Sequence, residues 1–314
     1  MVAERESQML QAAKLYYELE LTQAAIARRM NLTRWTVGRL LKEARACGLV
    51  RIEIASNGAR RTDLEAALQR RFDLLEAIVI PTGGLNDDAM LREPLARAAA
   101  DYLTSLKPPL LAVSWGRTMA AVAQSVPMGW NPDVHVVMMN GSTSRTSTPV
   151  HASRVAENLA AAGPGATTLL PVPAVLGDPS TRIALELDPV VSDVLMLARR
   201  AEVACFSLGT IGSDSVLVES GYLTDADLTR LVAECAVGDL LGRFIRADGS
   251  VVDEDLDGRT LGLTLEEVRA KKQRIVVAGG EGKRAVIHAS VVAGHCNTLI
   301  TDEMTASALL GGPA

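Results

Sequence analysis

Residues 21–48 read LTQAAIARRMNLTRWTVGRLLKEARACG, and their spacing predicts two short helices joined by a tight turn. Thr22 is placed to cap the first helix, over residues 23–30, and Asn31-Leu32 makes the turn. Thr33 supplies a hydroxyl to cap a second helix from Arg34 to about Ala46, which Gly48 stops. Ala25, Ile26, Met30, Val37, Leu40 and Leu41 recur at helical spacing and are expected to bury the pair against Ala12, Leu15 and Leu19 of a preceding helix. The polar face of the second helix carries Thr33, Arg34, Trp35, Thr36, Arg39 and Lys42, with Gln23 at the start of the first. Such a helix laid in a major groove offers side chains near its N-terminus to base edges, and its Arg and Lys to phosphates. The plainer alternative is a three-helix packing module with solvated charges. Trp35 is bulky for a groove-facing position, so stacking on a sugar or filling the core are both open for it.

Charge favours the nucleic-acid reading. Residues 1–60 hold ten Lys or Arg against six acids, whereas the remainder holds 22 against 31, for a net charge of −5 overall. A basic front on an acidic body suits a module that meets DNA while the bulk of the chain does something else. At 314 residues the chain accommodates one short and one long domain, predicted here as 1–56 for the helix-turn-helix and 57–314 for the rest. Apolar residues make up 48% with only 3% aromatic, so the core must be built from Ala, Val, Leu and Ile, as in an α/β fold. Cys47, Cys205, Cys235 and Cys296 form no CxxC pair and have no His at ligand spacing. They read as reduced, mostly buried thiols of a cytoplasmic protein without a metal. No membrane span or export signal is expected, since Glu4, Arg5 and Glu6 stand where an apolar leader would be needed.

Residues 50–55 (VRIEIA) alternate with period two and predict a wing strand, followed by a Ser56-Asn57-Gly58 linker and an amphipathic helix over 62–72. Short apolar runs at 77–80, 110–113, 134–139, 203–208, 275–278 and 298–300 are mostly followed by Gly, Ser or Thr and then a helical pattern. Repeated strand-loop-helix units imply a Rossmann-like parallel sheet with helices on both faces. Residues 240–245 and 250–252, around Asp248-Gly249, predict an antiparallel hairpin insert.

Ligands of open parallel sheets bind at the loops leaving the strands' carboxyl ends. Four such loops stand out: Ser114-Trp115-Gly116-Arg117-Thr118, Asn140-Gly141-Ser142-Thr143-Ser144, Gly209-Thr210-Ile211-Gly212-Ser213 and Gly279-Gly280-Glu281-Gly282-Lys283. Glycine lets backbone approach a ligand, hydroxyls and a helix start suit a phosphate, and Lys283 falls at the first turn of a helix over 284–292. Each loop alone is equally well explained as a tight connection, but four converging ones are not. None has Gly-Lys-Ser or Gly-Lys-Thr, and Gly279 to Lys283 lacks GxGxxG spacing, so nucleotide cradles are excluded. The ligand implied is small, hydroxylated and anionic, a sugar phosphate above all, with no separate cofactor.

In this order the features resemble the SorC (SorC/DeoR) family of sugar-binding bacterial transcriptional regulators, over nearly the whole chain. The carriers are 32–44 (LTRWTVGRLLKEA), Ser114 to Thr118, Asn140-Gly141, Ala236-Val237-Gly238-Asp239, Val277-Ala278-Gly279-Gly280 with Lys283, and 297–303 (NTLITDE). The resemblance implies a DNA reader joined to an effector domain similar to sugar-phosphate isomerases and glucosamine-6-phosphate deaminase. It further implies a dimer or tetramer on double-stranded operator DNA of a carbohydrate or polyol operon, with a sugar or sugar phosphate switching affinity. Carried onto this sequence, Ser114, Gly116, Arg117 and Thr118 match the first effector loop, and Gly141, Ser142, Thr143 and Ser144 the second. Lys283 resembles the phosphate-pairing lysine and Asp239 an acid near the sugar. Gly38 stands where the family's recognition helix commonly has Ser. No Asp-Gly-His like that of the deaminases occurs around residues 209–214, which implies a regulator and not an enzyme. The competing class is a sugar-phosphate isomerase or deaminase with an accessory N-terminal module. His135 reads as a core residue, and Asp87-Asp88, the 253–257 acids and Glu266-Glu267 as helix-start and turn charges.

Overall fold

The computed structural model describes residues 2–50, 60–85, 87–141 and 152–311. The chain divides into two compact units, Met1–Asn57 and Gly58–Ala314.

In the first unit, α1 (Val2–Ala13) continues through a π-helical turn, Lys14–Glu18, and is followed by α2 (Gln23–Met30) and α3 (Arg34–Ala46). Both predicted caps form: Thr22 accepts from the Ala25 N–H and Thr33 from the Thr36 N–H. Asn31 turns the chain in the left-handed region at φ 52°, and Gly48 ends α3's trailing turn at φ 80°. Ile26, Val37, Leu40 and Leu41 pack on Ala12 and Leu15, joined by Ala13 and Ala27. Each fully buried Leu, Ile or Val contributes about 1.5–3 kcal/mol against an exposed one. Leu19 is a correction: it lies beyond the helical turn and is 58% exposed. Trp35 leaves 72% of its surface open, which closes the core-filling alternative. From residue 51 onward, the wing expected over 50–55 lies outside the described residues, as does the linker at 56–58.

The second unit opens with α4 (Thr62–Phe72) and β1 (Glu76–Ile80). The next elements are α5 (Asp88–Leu106), β2 (Leu110–Val113), α6 (Arg117–Ser125), β3 (His135–Met138), α7 (Ala152–Ala162), β4 (Ala166–Thr168), α8 (Pro179–Glu186) and α9 (Pro189–Arg200). Then come β5 (Val203–Phe206), β6 (Leu208–Gly209), α10 (Val216–Glu219), α11 (Asp225–Ala233), β7 (Gly238–Leu240), β8 (Arg243–Ile245), α12 (Glu254–Arg259) and α13 (Leu265–Arg269). The unit closes with β9 (Gln273–Val277), α14 (Arg284–Val292), β10 (Thr298–Asp302) and α15 (Glu303–Gly311).

Seven strands form one parallel sheet in the order β1-β10-β9-β5-β2-β3-β4. Its inner strands are buried apolar runs, as a sheet covered on both faces requires. α5, α6 and α7 contact one another in that order, and the right-handed crossover rule for parallel strands assigns them to one face, with α9 and α14 on the other. From β2 the chain steps outward through β3 and β4, whereas β5, β9 and β10 step the opposite way. The order therefore reverses between β2 and β5, and a crevice opens where their carboxyl ends diverge.

Two strand expectations change. β4, with the pattern Ala-Thr-Thr, carries no apolar run and pairs at the sheet's edge. The predicted strand 240–245 is broken, because Leu241 and Gly242 both take positive φ (57° and 86°) and make the hairpin turn themselves. β6, β7 and β8 then form a small antiparallel sheet. Residues 250–252 return against 244–246 around Asp248-Gly249 as expected, through the Val251–Ile245 bridge and the bonds from the Arg246 N–H to the Ser250 carbonyl and from the Val252 N–H to the Phe244 carbonyl. Around it a satellite core gathers Leu217, Leu228, Leu231, Phe244 and Leu256. The cysteines are all free, and two of the four, Cys47 and Cys235, are exposed, against the expectation of mostly buried thiols. Both follow a helix end, where no sheet or helix covers them. Among the described residues, no helix is long and apolar enough to cross a membrane, and no group of His, Cys, Asp and Glu is placed to hold a metal ion.

Candidate functional site

A cavity of about 350 Å³ lies at the topological reversal. Its floor comes from the residues just beyond β2, β3 and β5. Ser114, Asn140 and Ser207 each line it, and Ser114 Oγ, Asn140 Oδ1 and Ser207 Oγ are buried without a hydrogen-bond partner. Buried polar atoms are almost always paired, so three orphans converging on one cavity describe acceptors and donors held for a hydroxylated ligand. Glycine at 116 starts α6 at φ 138° with no side-chain cap, which leaves the first-turn N–H groups near Thr118 open to an anion.

Three cations surround this floor. Arg117 spends one N–H on the Asp214 carbonyl at 2.6 Å. The side chains of Arg92, from the second turn of α5, and Lys283, just before α14, make neither a hydrogen bond nor an ion pair within 4 Å among the described residues. Burial pushes the Lys283 ammonium below its ordinary range, and Arg92 and Arg117 push the same way, while Asp88 and Asp239 pull it back. Asp239 sits on β7, 7% exposed, and its Oδ2 accepts the Gly242 N–H at 2.9 Å. Desolvation raises its carboxyl to about 6 despite that bond and the field of Lys283. Asp88 is likewise raised, chiefly by burial and less by Asp87 and Asp214, with Lys283 and Arg92 opposing. The cavity thus mixes uncommitted positive charge with two carboxyls whose ionisation burial disfavours.

Of the residues expected from sequence, Ser114, Gly116, Arg117, Thr118, Asn140, Gly209, Thr210, Asp239 and Lys283 all line this one cavity. Gly141, Gly279 and Gly280 do not, and for one reason: each lets another segment approach too closely for a side chain. A Cβ on them would strike the Pro173 carbonyl, the Asp302 carboxylate and the Asp88 carboxylate, respectively. The Gly280 N–H is already spent on Asp302 Oδ2 and Thr305 Oγ1. Ser142, Thr143 and Ser144 lie outside the described residues.

Sequence reasoning missed Asp88 and Arg92, together with Ser207, Asp214 and the Leu241-Gly242 turn. Asp87 does cap α5, accepting from Ala89 N and Met90 N, as its helix-start position suggests. Its neighbour faces the cavity, one residue further into the helix. The usable signal was the helix start after β1, since that loop also leaves a strand's carboxyl end. Trp115 closes one side, its Nε1 donating to the Gly141 carbonyl at 2.7 Å and its ring lying 6.3 Å from that of Tyr222. His135, half-buried on β3, is satisfied by Thr168 Oγ1 at 2.8 Å.

On the first unit, Arg34, Trp35, Arg39 and Lys42 are all exposed on α3, with Thr33 at its start and Thr36 partly covered. Gln23 lies beside α3, its Oε1 3.5 Å from where a Cβ on Gly38 would stand.

A parallel sheet with a polar, cation-lined crevice at its reversal is a small-molecule-binding arrangement, and in the chain it follows a small basic helical unit. Residues 57–311 match the sugar-binding domain family, Sugar-bind. The deoxyribonucleoside regulator of Bacillus subtilis is 32% identical over 313 residues, covering 98% of this chain and 99% of its own. The transcriptional regulator LsrR of Klebsiella pneumoniae is 31% identical over 310 residues, covering 97% and 93%. Among solved structures, the full-length sorbitol operon regulator SorC of Klebsiella pneumoniae superposes with a TM-score of 0.74 at 27% identity, covering 96% of this chain and 97% of that one. The chain belongs to the SorC/DeoR family of sugar-binding transcriptional regulators.

Proposed function

We propose that this regulator reads operator DNA through a winged helix-turn-helix in residues 1–56 and is switched by a sugar phosphate held in the cavity of residues 57–314. The observation that carries the effector half is the pairing of two uncommitted cations, Arg92 and Lys283, with three unsatisfied polar atoms at adjacent strand ends. A phosphate suits the cations and the exposed first turn of α6, and sugar hydroxyls suit Ser114, Asn140 and Ser207. The names of relatives, a deoxyribonucleoside regulator and a sorbitol operon regulator, support a carbohydrate or polyol operon as the target.

For the DNA half, α3 is the recognition helix, with Thr33, Arg34, Trp35, Thr36, Arg39 and Lys42 facing the groove and Gln23 reaching the backbone from α2. The protein acts as a two-fold symmetric dimer or tetramer whose paired helices read half-sites about one helical turn apart, or a multiple of it. Effector binding prefers one arrangement of subunits, and a coupling of about 1–3 kcal/mol corresponds to roughly 5- to 150-fold in operator affinity. No cofactor is required and no catalysis is assigned.

The test is thermal stabilisation by a panel of pentose and hexose phosphates, polyols and inorganic phosphate, followed by operator binding with and without each hit. Lys283→Met is expected to weaken the hit at least tenfold. Undiminished stabilisation of that variant, or steady turnover of the hit seen by NMR, would remove the proposal.

A further inference from the structure

Trp35 is a large aromatic ring left almost bare on the second residue of α3, and Arg39 lies one turn further along the same face. The Arg39 guanidinium carbon sits 4.9 Å from the Trp35 ring centroid. Guanidinium makes no hydrogen bond here among the described residues: its nearest carboxylate oxygen, Glu43 Oε1, is 3.7 Å from Nε, beyond hydrogen-bonding reach. Glu43 is itself taken by Arg5, through contacts of 2.9–3.1 Å from α1. The neighbouring hydroxyls are spent as well, since Thr33 Oγ1 and Thr36 Oγ1 bond each other at 2.8 Å and Thr33 Oγ1 caps the helix. Arg39 is therefore a cation oriented by a ring, with its donors unspent.

We infer that Trp35 is a specificity-determining residue of operator recognition, a shelf that holds the Arg39 guanidinium edge-on to a guanine while its own rim meets the methyl group of an adjacent thymine. A guanidinium held over an aromatic face can turn its N–H donors outward past the ring's rim, where a bidentate contact to guanine O6 and N7 needs them. The thymine methyl is the apolar group that the major groove offers to an exposed ring. Duplex DNA is the occupant that suits this face by charge, because Arg34, Arg39 and Lys42 flank the ring on a segment with ten basic and six acidic residues. Glu43 is hydrogen-bonded to Arg5 and keeps only a 3.7 Å ion-pair contact with Arg39 Nε, so the terminal N–H groups of Arg39 are uncommitted among the described residues.

This inference rests on the operator reading, and the experiment separates the two. Full-length protein selects binding sites from a randomised duplex library, in wild-type form and as Trp35→Ala, Trp35→Phe and Arg39→Ala. The wild type is expected to enrich a motif with a thymine beside a guanine. Arg39→Ala loses the preference at the guanine, and Trp35→Ala reduces it about three- to tenfold and abolishes the preference for the thymine. Trp35→Phe restores part of both. The melting temperature of Trp35→Ala stays close to the wild-type value, because 72% of the ring's surface is open. Replacing that thymine by uracil, which deletes only the methyl, weakens the wild type and leaves Trp35→Ala unaffected. A Trp35→Ala motif identical to the wild type's, or a loss spread evenly over all sequences, overturns the inference with the operator reading intact. A wild type that enriches no motif overturns both.

Discussion

Replacing Asp239 by Asn should stabilise the protein at neutral pH and leave it nearly unchanged in acid. The Asp239 carboxyl is raised from 3.8 to about 6 by burial. At 1.36 kcal/mol per pH unit, that displacement corresponds to about 3 kcal/mol. The native state holds this proton more tightly than the unfolded chain does. Its contribution to stability is thus fully present below pH 3.8 and is lost as pH rises through about 6, above which the native state carries a desolvated carboxylate. Asparagine cannot ionise and keeps an oxygen for the Gly242 N–H, so the variant escapes that cost. The advantage over wild type is expected to be close to zero at pH 4 and to reach up to about 3 kcal/mol at pH 7.5, reduced by whatever Lys283 loses with its counter-charge. In a domain of this size about 1 kcal/mol moves the melting temperature by about 2–4 °C, so the variant should melt up to about 6–12 °C higher at pH 7.5. Subtracting wild type from variant at each pH cancels the titrating groups that Asp239 does not touch, such as His295, and leaves Lys283 as the coupled one. A difference that is flat from pH 4 to 7.5, or that falls with pH, would refute the claim that burial of this carboxylate is the dominant electrostatic cost of the cavity.

Gly38→Ala in the middle of α3 should raise the stability of the first unit by about 1 kcal/mol in urea unfolding, since the added methyl meets only Gln23 Oε1 at an ordinary 3.5 Å. Arg243→Met should cost about 3–5 kcal/mol by the same assay, because the buried guanidinium serves the carbonyls of Asp257, Thr260, Gly262 and Leu263 and the Asp257 carboxylate. The same variant should bind sugar phosphate more weakly in thermal-shift titration, as the 260–263 segment pairs with Met139, Asn140 and Gly141 at the cavity floor. Glu303→Gln should destabilise at pH 7 and less so at pH 3. Glu303 is held below its ordinary 4.5 by the Thr82 N–H first, then by Arg61 and the Gly83 N–H, so its contribution exists above 4.5 and vanishes as pH falls through the lowered native value. Equal destabilisation at both pH values in melting experiments would count against that assignment.

How legible each part was depends on how locally its physics is written. Thr22, Asn31, Thr33 and Gly48 act on N–H groups and dihedrals within a few residues, so α2 and α3 could be bounded almost to the residue. Buried parallel strands announce themselves as apolar runs, and β2 coincided with its run at 110–113. β4 did not, because an edge strand of Ala and two Thr has no buried face to declare. The loops of the cavity were found because strand ends carry Gly, Ser and Thr, but sequence could not separate a glycine that admits a ligand from one that admits a neighbouring segment. Gly116 and Gly280 look alike in the chain; only packing shows that Gly280 yields its space to the carboxylate of Asp88.

Asp88 and Arg92 show why the rest was hidden. They precede β2 in the chain, on a helix that follows edge strand β1, and nothing within twenty residues of them hints at Lys283. They meet it because β1 is separated from β9 only by β10, so the start of α5 and the loop after β9 leave neighbouring carboxyl ends of the sheet although they lie far apart in the chain. The unforeseen turn at Leu241-Gly242 has the same consequence on the other side. Had residues 240–245 been one continuous strand, Asp239 would have continued a flat ladder; the positive φ of Leu241 and Gly242 turns the backbone so that the Gly242 N–H returns to Asp239 Oδ2. That bond partly offsets the cost of burying a carboxylate at the cavity wall. Charge on Lys283 is thereby balanced by two acids, Asp88 and Asp239, contributed from opposite ends of the unit, neither close enough to form an ion pair with it. An ammonium pulled by two carboxyls yet bonded to neither stays available to a third anion, and that availability is a property of the sheet's strand order and a two-residue turn, not of the loop in which Lys283 itself lies.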